Sequence, residues 1–420
     1  MDIFSQIESN VRSYSRVFPA LFTTARGATL SARDGATYID FLSGAGALNY
    51  GHNNPILKAA LTDYLAGDGI THSLDLATAA KQRFLESLRD HVLRPRGLRY
   101  KVQFTGPTGT NAVEAALKIA RNATGRRTIV SFTNGFHGVT LGSLAVTASP
   151  HHRQAAGVPL TGATVVPYDG DLGPEVDTIA DLEALLSAGH NADRPAGVIV
   201  ETVQGEGGVR VARVEWLRRL ESVCRAAGIP LIVDDIQAGC GRTGRFFSFE
   251  EAGLTPDIVV LSKSLSGFGL PMAVLLLTPE LDTWAPGAHN GTFRGHNLAF
   301  VTAASALETY WRDETLMVEV ARKAAMVRSS LNAIAGTEPD AHLSVRGRGL
   351  IQGLDCRTGE LAGRISRLCF EHGLVVETAG LDGQVVKCLC PLTISDTELD
   401  RGLDILTASA AAALDRVVVG

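Results

Sequence analysis

The chain has 420 residues, of which 45% are hydrophobic and 20% charged, and its formal net charge is -5. This composition is typical of a globular protein and excludes a disordered chain. Because the chain is slightly acidic and contains no Lys/Arg block, we expect a small polar metabolite as its partner and no nucleic acid.

The amino-terminal segment, MDIFSQIESNVRSYSRVF, is polar where a signal peptide is apolar, and the sequence has no apolar run of the roughly 18 residues that span a membrane. We therefore expect a cytoplasmic protein that does not bind membranes. The turn-rich residues 1–54 and the helical text that begins at 306 differ from the middle of the chain. These differences predict a large α/β domain at 55–305 and a smaller domain formed by 1–54 and 306–420 together.

Short β-branched runs alternate with helical periodicity between about residues 100 and 275, which predicts βαβ units and a mostly parallel sheet. The predicted strands are 100–104, 128–132, 164–167, 197–201, 229–234 and 257–262. One crossover helix is indicated by apolar residues at helical spacing in 216–227, with Gly228 as its C-cap. In open α/β sheets ligands bind beyond the carboxyl ends of the strands, so we expect functional residues directly after these runs.

Glycines and threonines follow the first predicted strand, in TGPTGTNAVEAALKIAR at 105–121. Gly109 and Thr110 precede a predicted helix, whose N-terminus and converging N–H groups favour a phosphate. The pattern is equally typical of an ordinary helix cap, and it lacks both the lysine of a Walker loop and the spacing of a dinucleotide fold. After the second strand, Phe136 and His137 lie among glycines, where an aromatic ring belongs either to the core or against a planar ligand.

Carboxylates follow the fourth and fifth strands. Glu201 and Glu206 occur in ETVQGEGGV, and Asp234 and Asp235 end the apolar run LIVDD. Adjacent strand residues point to opposite faces, so the two aspartates cannot share one role. The aspartate that faces a ligand needs a positively charged or hydrogen-bond-donating partner, because an unpaired buried carboxylate is costly.

Lys263 follows the sixth strand, in LSKSLSG. Taken alone it is equally typical of a surface lysine whose stem covers apolar groups. Together with an anion site, an aromatic ring and a strand-end carboxylate, it matches the needs of pyridoxal phosphate. This cofactor requires an amine for a Schiff base, a carboxylate for its pyridine nitrogen, a flat contact for its ring and a site for its phosphate.

Over nearly its whole length the sequence resembles the class III, or subgroup II, aminotransferases of pyridoxal phosphate fold type I. The motifs that carry the resemblance are GPTGTNAVEAALKIAR, FHGVTLG, ETVQGEGG, VDDIQAGCGRTGRFF, LSKSLSG, GTFRGHN and RGRGLIQGLD. The resemblance implies an aspartate aminotransferase-like α/β fold, with a seven-stranded, mostly parallel sheet and a small α/β domain. It also implies a homodimer or higher homo-oligomer with shared active sites.

The resemblance further assigns roles to single residues. Lys263 would hold pyridoxal 5′-phosphate covalently and move the proton between Cα and C4′, and Asp234 would pair with the pyridine nitrogen. The other implied cofactor contacts are Gly109 and Thr110 at the phosphate, Phe136 on the front of the ring beside His137, Ile236 on the back of the ring, Gln237 at the ring hydroxyl and Thr292 at the phosphate of the neighbouring subunit.

An amino acid and an oxo acid are the implied substrates. Segments such as FLSGAGALNYGHNNP and YKVQFTGPTGTNAVEAALK resemble members of the family that use L-glutamate and L-aspartate 4-semialdehyde to make L-2,4-diaminobutyrate and 2-oxoglutarate, as in ectoine biosynthesis. The alternatives are ornithine, acetylornithine, GABA and lysine.

Substrate contacts are implied at two places. Glu206 and Lys387 would form either a gate pair or an ordinary structural ion pair, with Lys387 where ornithine and GABA transaminases have an arginine. Ala45 and Leu48 would contribute from the loop at 45–50. No residue pattern predicts a metal site, although the resemblance allows a bound monovalent cation, potassium.

Overall fold

The computed structural model of the protein describes residues 3–187 and 194–415. Its strands are, in chain order, β1 (Phe22–Arg26), β2 (Thr29–Ala32), β3 (Thr37–Asp40), β4 (Lys101–Phe104), β5 (Ile129–Phe132), β6 (Ala163–Val166), β7 (Gly197–Val200), β8 (Val203–Gln204), β9 (Arg210–Val211), β10 (Leu231–Asp234), β11 (Ile258–Leu261), β12 (Val274–Leu277), β13 (Ser344–Arg348), β14 (Ile351–Asp355), β15 (Leu374–Val375), β16 (Glu377–Ala379) and β17 (Val385–Cys388).

Its α-helices are α1 (Ile3–Ile7), α2 (Tyr14–Val17), α3 (Ser43–Gly46), α4 (Pro55–Ala66), α5 (Ala79–Leu88), α6 (Gly109–Thr124), α7 (Leu141–Val146), α8 (Pro150–Gln154), α9 (Thr178–Ser187), α10 (Val214–Ala227), α11 (Asn297–Tyr310), α12 (Thr315–Thr337), α13 (Gly359–Glu371) and α14 (Asp396–Asp415). A π-helical turn at Arg89–Leu93 and short 3-10 turns complete the description, at Arg94–Arg96, Glu250–Ala252, Lys263–Ser266, Pro279–Leu281 and Pro339–Ala341. No helix among the described residues combines the length and the apolar character needed to cross a membrane.

A seven-stranded sheet forms the centre of the molecule, in the order β4-β12-β11-β10-β7-β5-β6. The neighbours β11-β10-β7-β5-β6 pair in parallel, and β12 runs antiparallel to β11 and β4. The α/β fold and the mostly parallel sheet are therefore confirmed, and each of the six predicted strands is present with its ends shifted by at most two residues.

The central strands are apolar on both faces because helices cover both sides of the sheet. Ile232 of β10 belongs to the apolar cluster that surrounds α6, whereas Leu231 and Val233 belong to the larger cluster on the other face. Asp234 therefore continues the row of Ile232, and Asp235 continues the row of Val233. Because of this alternation, the two adjacent carboxylates lie in two different environments.

The crossover helix predicted at 216–227 is present as α10. Its buried side chains are Trp216, Leu217, Leu220, Val223 and Cys224, and Gly228 ends it with a left-handed φ of 61°. A residue with a side chain pays a steric penalty in this conformation, which explains the glycine.

Segments from the two ends of the chain share one smaller sheet. The strands β1, β2 and β3 form a meander, and β15 joins it in parallel through the pairs Leu374↔Ile39 and Val375↔Asp40. A second small sheet has the order β13-β14-β17-β16. The domain limits at 55–305, 1–54 and 306–420 stay a prediction, which the pairing of β15 with β3 supports.

Candidate active site

The carboxyl ends of the central strands converge on a cavity of about 260 Å³. Residues at the ends of five strands, β4, β5, β7, β10 and β11, and in the segments that follow them line this cavity: Gly109, Thr110, Phe136, His137, Gly138, Val139, Glu201, Glu206, Asp234, Ile236, Gln237 and Lys263. The structure thus brings together the residues predicted to hold the cofactor, with the exception of Thr292.

The remaining predicted residues lie outside this lining. The carbonyl oxygen of Ala45 accepts a hydrogen bond from Nε2 of Gln237 at 3.0 Å, so the loop at 45–50 reaches the cavity through its backbone. Leu48 lies against Gly269. Thr292 is exposed to solvent, and its carbonyl oxygen lies 3.0 Å from Nε2 of His72.

Asp234 has the buried partner that the sequence argument required. Its Oδ2 lies 2.7 Å from Nδ1 of His137, and both side chains are almost inaccessible to solvent. The N–H of Ile236 donates to Oδ1 at 3.2 Å. Burial opposes the charged form of His137, but the hydrogen bond and the charge of Asp234 outweigh burial and raise the pKa of His137.

Asp235 points away from the cavity, as predicted. It is fully buried, and its carboxylate accepts a hydrogen bond from the N–H of Ser248 at 3.1 Å. Burial raises the pKa of Asp235 to about 7. This carboxylate therefore lies in the protein interior, on the side of β10 that faces away from the cavity.

Lys263 projects from a strained turn directly after β11. Its φ is 47°, in the left-handed region that residues with a side chain seldom adopt. The next residue, Ser264, donates from Oγ to the carbonyl of Gly46 at 2.8 Å and accepts from the N–H of Asn49 at 3.2 Å. Burial lowers the pKa of Lys263, although the nearby charge of Glu206 acts in the opposite direction. The lowered pKa favours the free amine that a nucleophile requires.

The first turn of α6 forms a narrow cradle. A Cβ on Gly109 would lie 2.9 Å from Cδ1 of Ile236, and a Cβ on Gly138 would lie 2.5 Å from Oγ1 of Thr110. Gly138 also has a φ of 118°. Because both positions exclude a side chain and the first N–H groups of a helix have no partners within it, the cradle can admit an anion to backbone donors.

Gln237 carries an acceptor without a partner. Its Nε2 donates to Ala45 and to Oε1 of Glu206, each at 3.0 Å, but its buried Oε1 has no hydrogen-bond partner among the described residues. An unsatisfied buried acceptor beside a cavity fits a ligand that brings a hydroxyl group. Together with the Lys263 amine, the Asp234 carboxylate and the glycine-lined cradle, this acceptor fits pyridoxal phosphate.

Glu206 and Lys387 are in contact, but Lys387 lies behind the cavity wall. Their Oε1 and Nζ atoms are 2.7 Å apart, and the Lys387 side chain is 0% exposed whereas that of Glu206 is 30% exposed. Burial opposes the charge of Glu206, but Lys387 and Lys263 outweigh burial and lower the pKa of Glu206 to about 2.

Two residues at this pair were not found from the sequence. Oε1 of Glu377 lies 3.1 Å from Nζ of Lys387, and the hydroxyl of Tyr14 donates to Oε2 of Glu377 at 3.0 Å. Glu377 is the residue directly opposite Lys387 in the antiparallel pairing of β16 with β17. The available signal was a single carboxylate in the otherwise uncharged stretch GLVVETAG.

Glu201 lies beneath the aromatic residue of the site. Its Oε2 accepts from the N–H of Phe136 at 3.0 Å. Burial raises the pKa of Glu201 to about 8, while the charge of His137 acts against that rise. Within the described ranges, no group of three or more His, Cys, Asp or Glu side chains is arranged to hold a metal ion.

The chain is similar to proteins of known name over almost all of its length. The model of a family described as Aminotransferase class-III matches residues 11–409. The diaminobutyrate--2-oxoglutarate transaminase of Halomonas elongata is 59% identical over 411 residues, which cover 97% of this chain and 98% of that protein. The protein of the same name from Bordetella parapertussis is 58% identical over 416 residues, 99% of this chain and 96% of its own. Among solved structures, the ornithine aminotransferase from Toxoplasma gondii matches with a TM-score of 0.86 and 27% identity, over 98% of this chain and 94% of that one.

Proposed function

The chain belongs to the class-III aminotransferase family, and from that premise we propose that it moves the amino group of L-glutamate to L-aspartate 4-semialdehyde. The products are L-2,4-diaminobutyrate and 2-oxoglutarate. The observation that carries the choice of substrates is the identity of 59% over 97% of the chain with the Halomonas elongata transaminase.

Pyridoxal phosphate, the cofactor of this family, supplies the electron sink that stabilises a carbanion at the Cα atom of the bound amino acid. Lys263 would hold this cofactor, and its amine would remove and return the proton at Cα. Burial lowers the pKa of Lys263, which favours the free amine that a base requires. Asp234, held by His137 at 2.7 Å, keeps the pyridine nitrogen protonated.

The other lining residues bind and orient the cofactor. Gly109 and Thr110 bind its phosphate at the start of α6, and the unpaired Oε1 of Gln237 accepts from its hydroxyl group. Phe136 and Ile236, which both line the cavity, contact the ring. With the cofactor bound, these residues would exclude water from the reacting atoms and orient the ring.

Lys387 binds substrate carboxylates, and Glu206 controls access to it. In the structure Glu206 forms an ion pair with Lys387. A substrate carboxylate can therefore reach Lys387 only after Glu206 moves aside. The more exposed position of Glu206 beside the cavity supports it as the mobile partner. An enzyme that accepts glutamate and a shorter aldehyde in turn needs such an adjustable site.

A dimer completes the site in this proposal. Thr292 is exposed, and the adjacent Phe293 exposes 62% of its surface. An exposed phenylalanine beside the predicted phosphate contact supports an interface in which Thr292 reaches the neighbouring subunit's cofactor. A cytoplasmic location and an effect of potassium stay predictions.

The substrates can be tested by following the visible spectrum of the cofactor-loaded protein while single amino acids are added. L-2,4-diaminobutyrate and L-glutamate should each convert the bound cofactor to its amine form, whereas ornithine and GABA should leave the spectrum unchanged. Lys263→Ala should abolish the absorbance of the lysine-bound cofactor and both half-reactions. Faster conversion by ornithine or GABA would leave the family unchanged and refute the proposed substrates.

The carboxylate role of Lys387 is tested by Lys387→Met. We expect the KM for glutamate to rise about 10-fold or more with a smaller change in kcat, because a charge-assisted contact to the substrate contributes ~1.5–3 kcal/mol. Unchanged KM values for L-glutamate and L-2,4-diaminobutyrate would mean that Lys387 and Glu206 take no part in substrate binding.

A further inference from the structure

Lys387 has two carboxylate partners that differ in their freedom to move. Glu206 lines the cavity and is 30% exposed, whereas the side chain of Glu377 is 7% exposed and lies on the neighbouring strand in register with Lys387. Tyr14 holds the second oxygen of Glu377. One carboxylate can therefore leave the lysine while the other stays.

A buried lysine without a counter-ion tends to lose its proton, because removing the ammonium from water disfavours the charged form. The side chain of Lys387 is fully buried, so it would be in this position whenever Glu206 moved away if Glu377 did not stay beside it. Arginine in the same place would stay protonated under all ordinary conditions. A lysine therefore needs something that an arginine does not, namely a permanent counter-ion.

We propose that Glu377 is a positioning residue that keeps Lys387 protonated and in place while Glu206 gives way to the substrate's carboxylate. The inference rests on the proposed function, because it assumes that Lys387 receives a substrate carboxylate. It extends that function by explaining how a lysine serves where related enzymes have an arginine.

The charged and titratable groups near Lys387 define what the test must control. Glu206 faces it from the loop after β8, Glu377 from β16, and Lys263 lies close enough to act on it electrostatically. Tyr14 reaches the cluster through Glu377. Burial opposes the charge of Lys387, and the two glutamates together outweigh burial and raise its pKa.

The experiment measures the KM for glutamate between about pH 7 and 9 in Glu206→Gln and in Glu206→Gln/Glu377→Gln, with the wild type as reference. Dividing each KM by the wild-type value at the same pH removes the ionisation of the substrate itself. In Glu206→Gln the ratio should stay constant, because Glu377 still holds the proton on Lys387. In the double variant the ratio should rise by up to about 10-fold per pH unit above the lowered pKa of Lys387.

Lys387→Arg in the double variant is the matched control, because a guanidinium keeps its charge without a counter-ion and should restore a constant ratio. If the KM ratio of the double variant is raised by the same factor at every pH, Glu377 has only a structural role and the inference is overturned. A ratio that already rises in Glu206→Gln would overturn it as well, whether or not the double variant folds. The proposed function fails separately, through faster conversion of the bound cofactor by ornithine or GABA than by L-2,4-diaminobutyrate and L-glutamate.

Discussion

Replacing His137 by phenylalanine tests the buried pair on which the electrostatics of the site depend. The substitution keeps a ring of similar shape but removes the partner that lies 2.7 Å from Asp234. Breaking a buried pair from one side costs ~3–5 kcal/mol, because an unpaired charge is left inside the protein. Asp234 is 4% exposed and retains the N–H of Ile236 at 3.2 Å, so we expect a loss of ~3 kcal/mol in the free energy of unfolding.

The sign of the pH dependence follows from the direction of the pKa shift. The pKa of His137 in the folded protein lies above its usual value of 6.5, so the folded state binds the proton more tightly than the unfolded chain. The stability that the pair contributes is complete below about pH 6.5 and declines as the pH rises through the raised pKa of His137. The difference between wild type and His137→Phe should therefore shrink at alkaline pH.

The assay is urea unfolding of the cofactor-free protein, followed by fluorescence at several pH values. His151→Phe is the control, because His151 is exposed, and a surface change of this kind should stay within ~0.5 kcal/mol. The reasoning is refuted if His137→Phe loses no more stability than His151→Phe, or if its loss grows as the pH rises.

Two further predictions concern neighbouring positions. Asp235→Asn should gain stability relative to wild type between about pH 4 and 7. The pKa of Asp235 is raised in the folded protein, so the wild type becomes less stable as that carboxyl loses its proton. Unfolding curves measured at these pH values would show the gain. Gly138→Ala should weaken binding of the cofactor about 10-fold or more, since its Cβ would lie 2.5 Å from Oγ1 of Thr110 at a φ of 118°. Gly125 also has a left-handed φ, 67°, but open space surrounds it. Titrating cofactor into Gly138→Ala and into Gly125→Ala therefore separates the effect of backbone strain from the effect of the close contact.

The sequence predicted the central strands because each is a short apolar run with a polar residue at its end. β12 was missed as a strand because VLLL follows Lys263 closely and its antiparallel direction leaves no trace in periodicity. Asp234 and Lys263 were found because their charge conflicts with the apolar runs that precede them, so that chemistry is the natural explanation.

The contacts of these residues could not be predicted in the same way. The bond between His137 and Asp234 joins residues 97 positions apart, and the pairing of Glu377 with Lys387 depends on strand register. Periodicity indicates which face a side chain occupies, but it does not identify the residue on the facing strand. The resemblance supplied the role of Lys387, and only the structure showed that its ammonium is shared between two carboxylates.

The pairing of β3 with β15 also sets the order in which a newly made chain can mature. Ile39 pairs with Thr29 of the preceding strand on one edge of β3, but its other edge can pair only after Leu374 has been synthesised. Until then one edge of β3 is open to pairing with other chains. The loop at 45–50, whose Ala45 carbonyl accepts a hydrogen bond from Gln237, then follows a sheet that is still incomplete. The sheet that carries this loop is therefore completed by a late, long-range pairing.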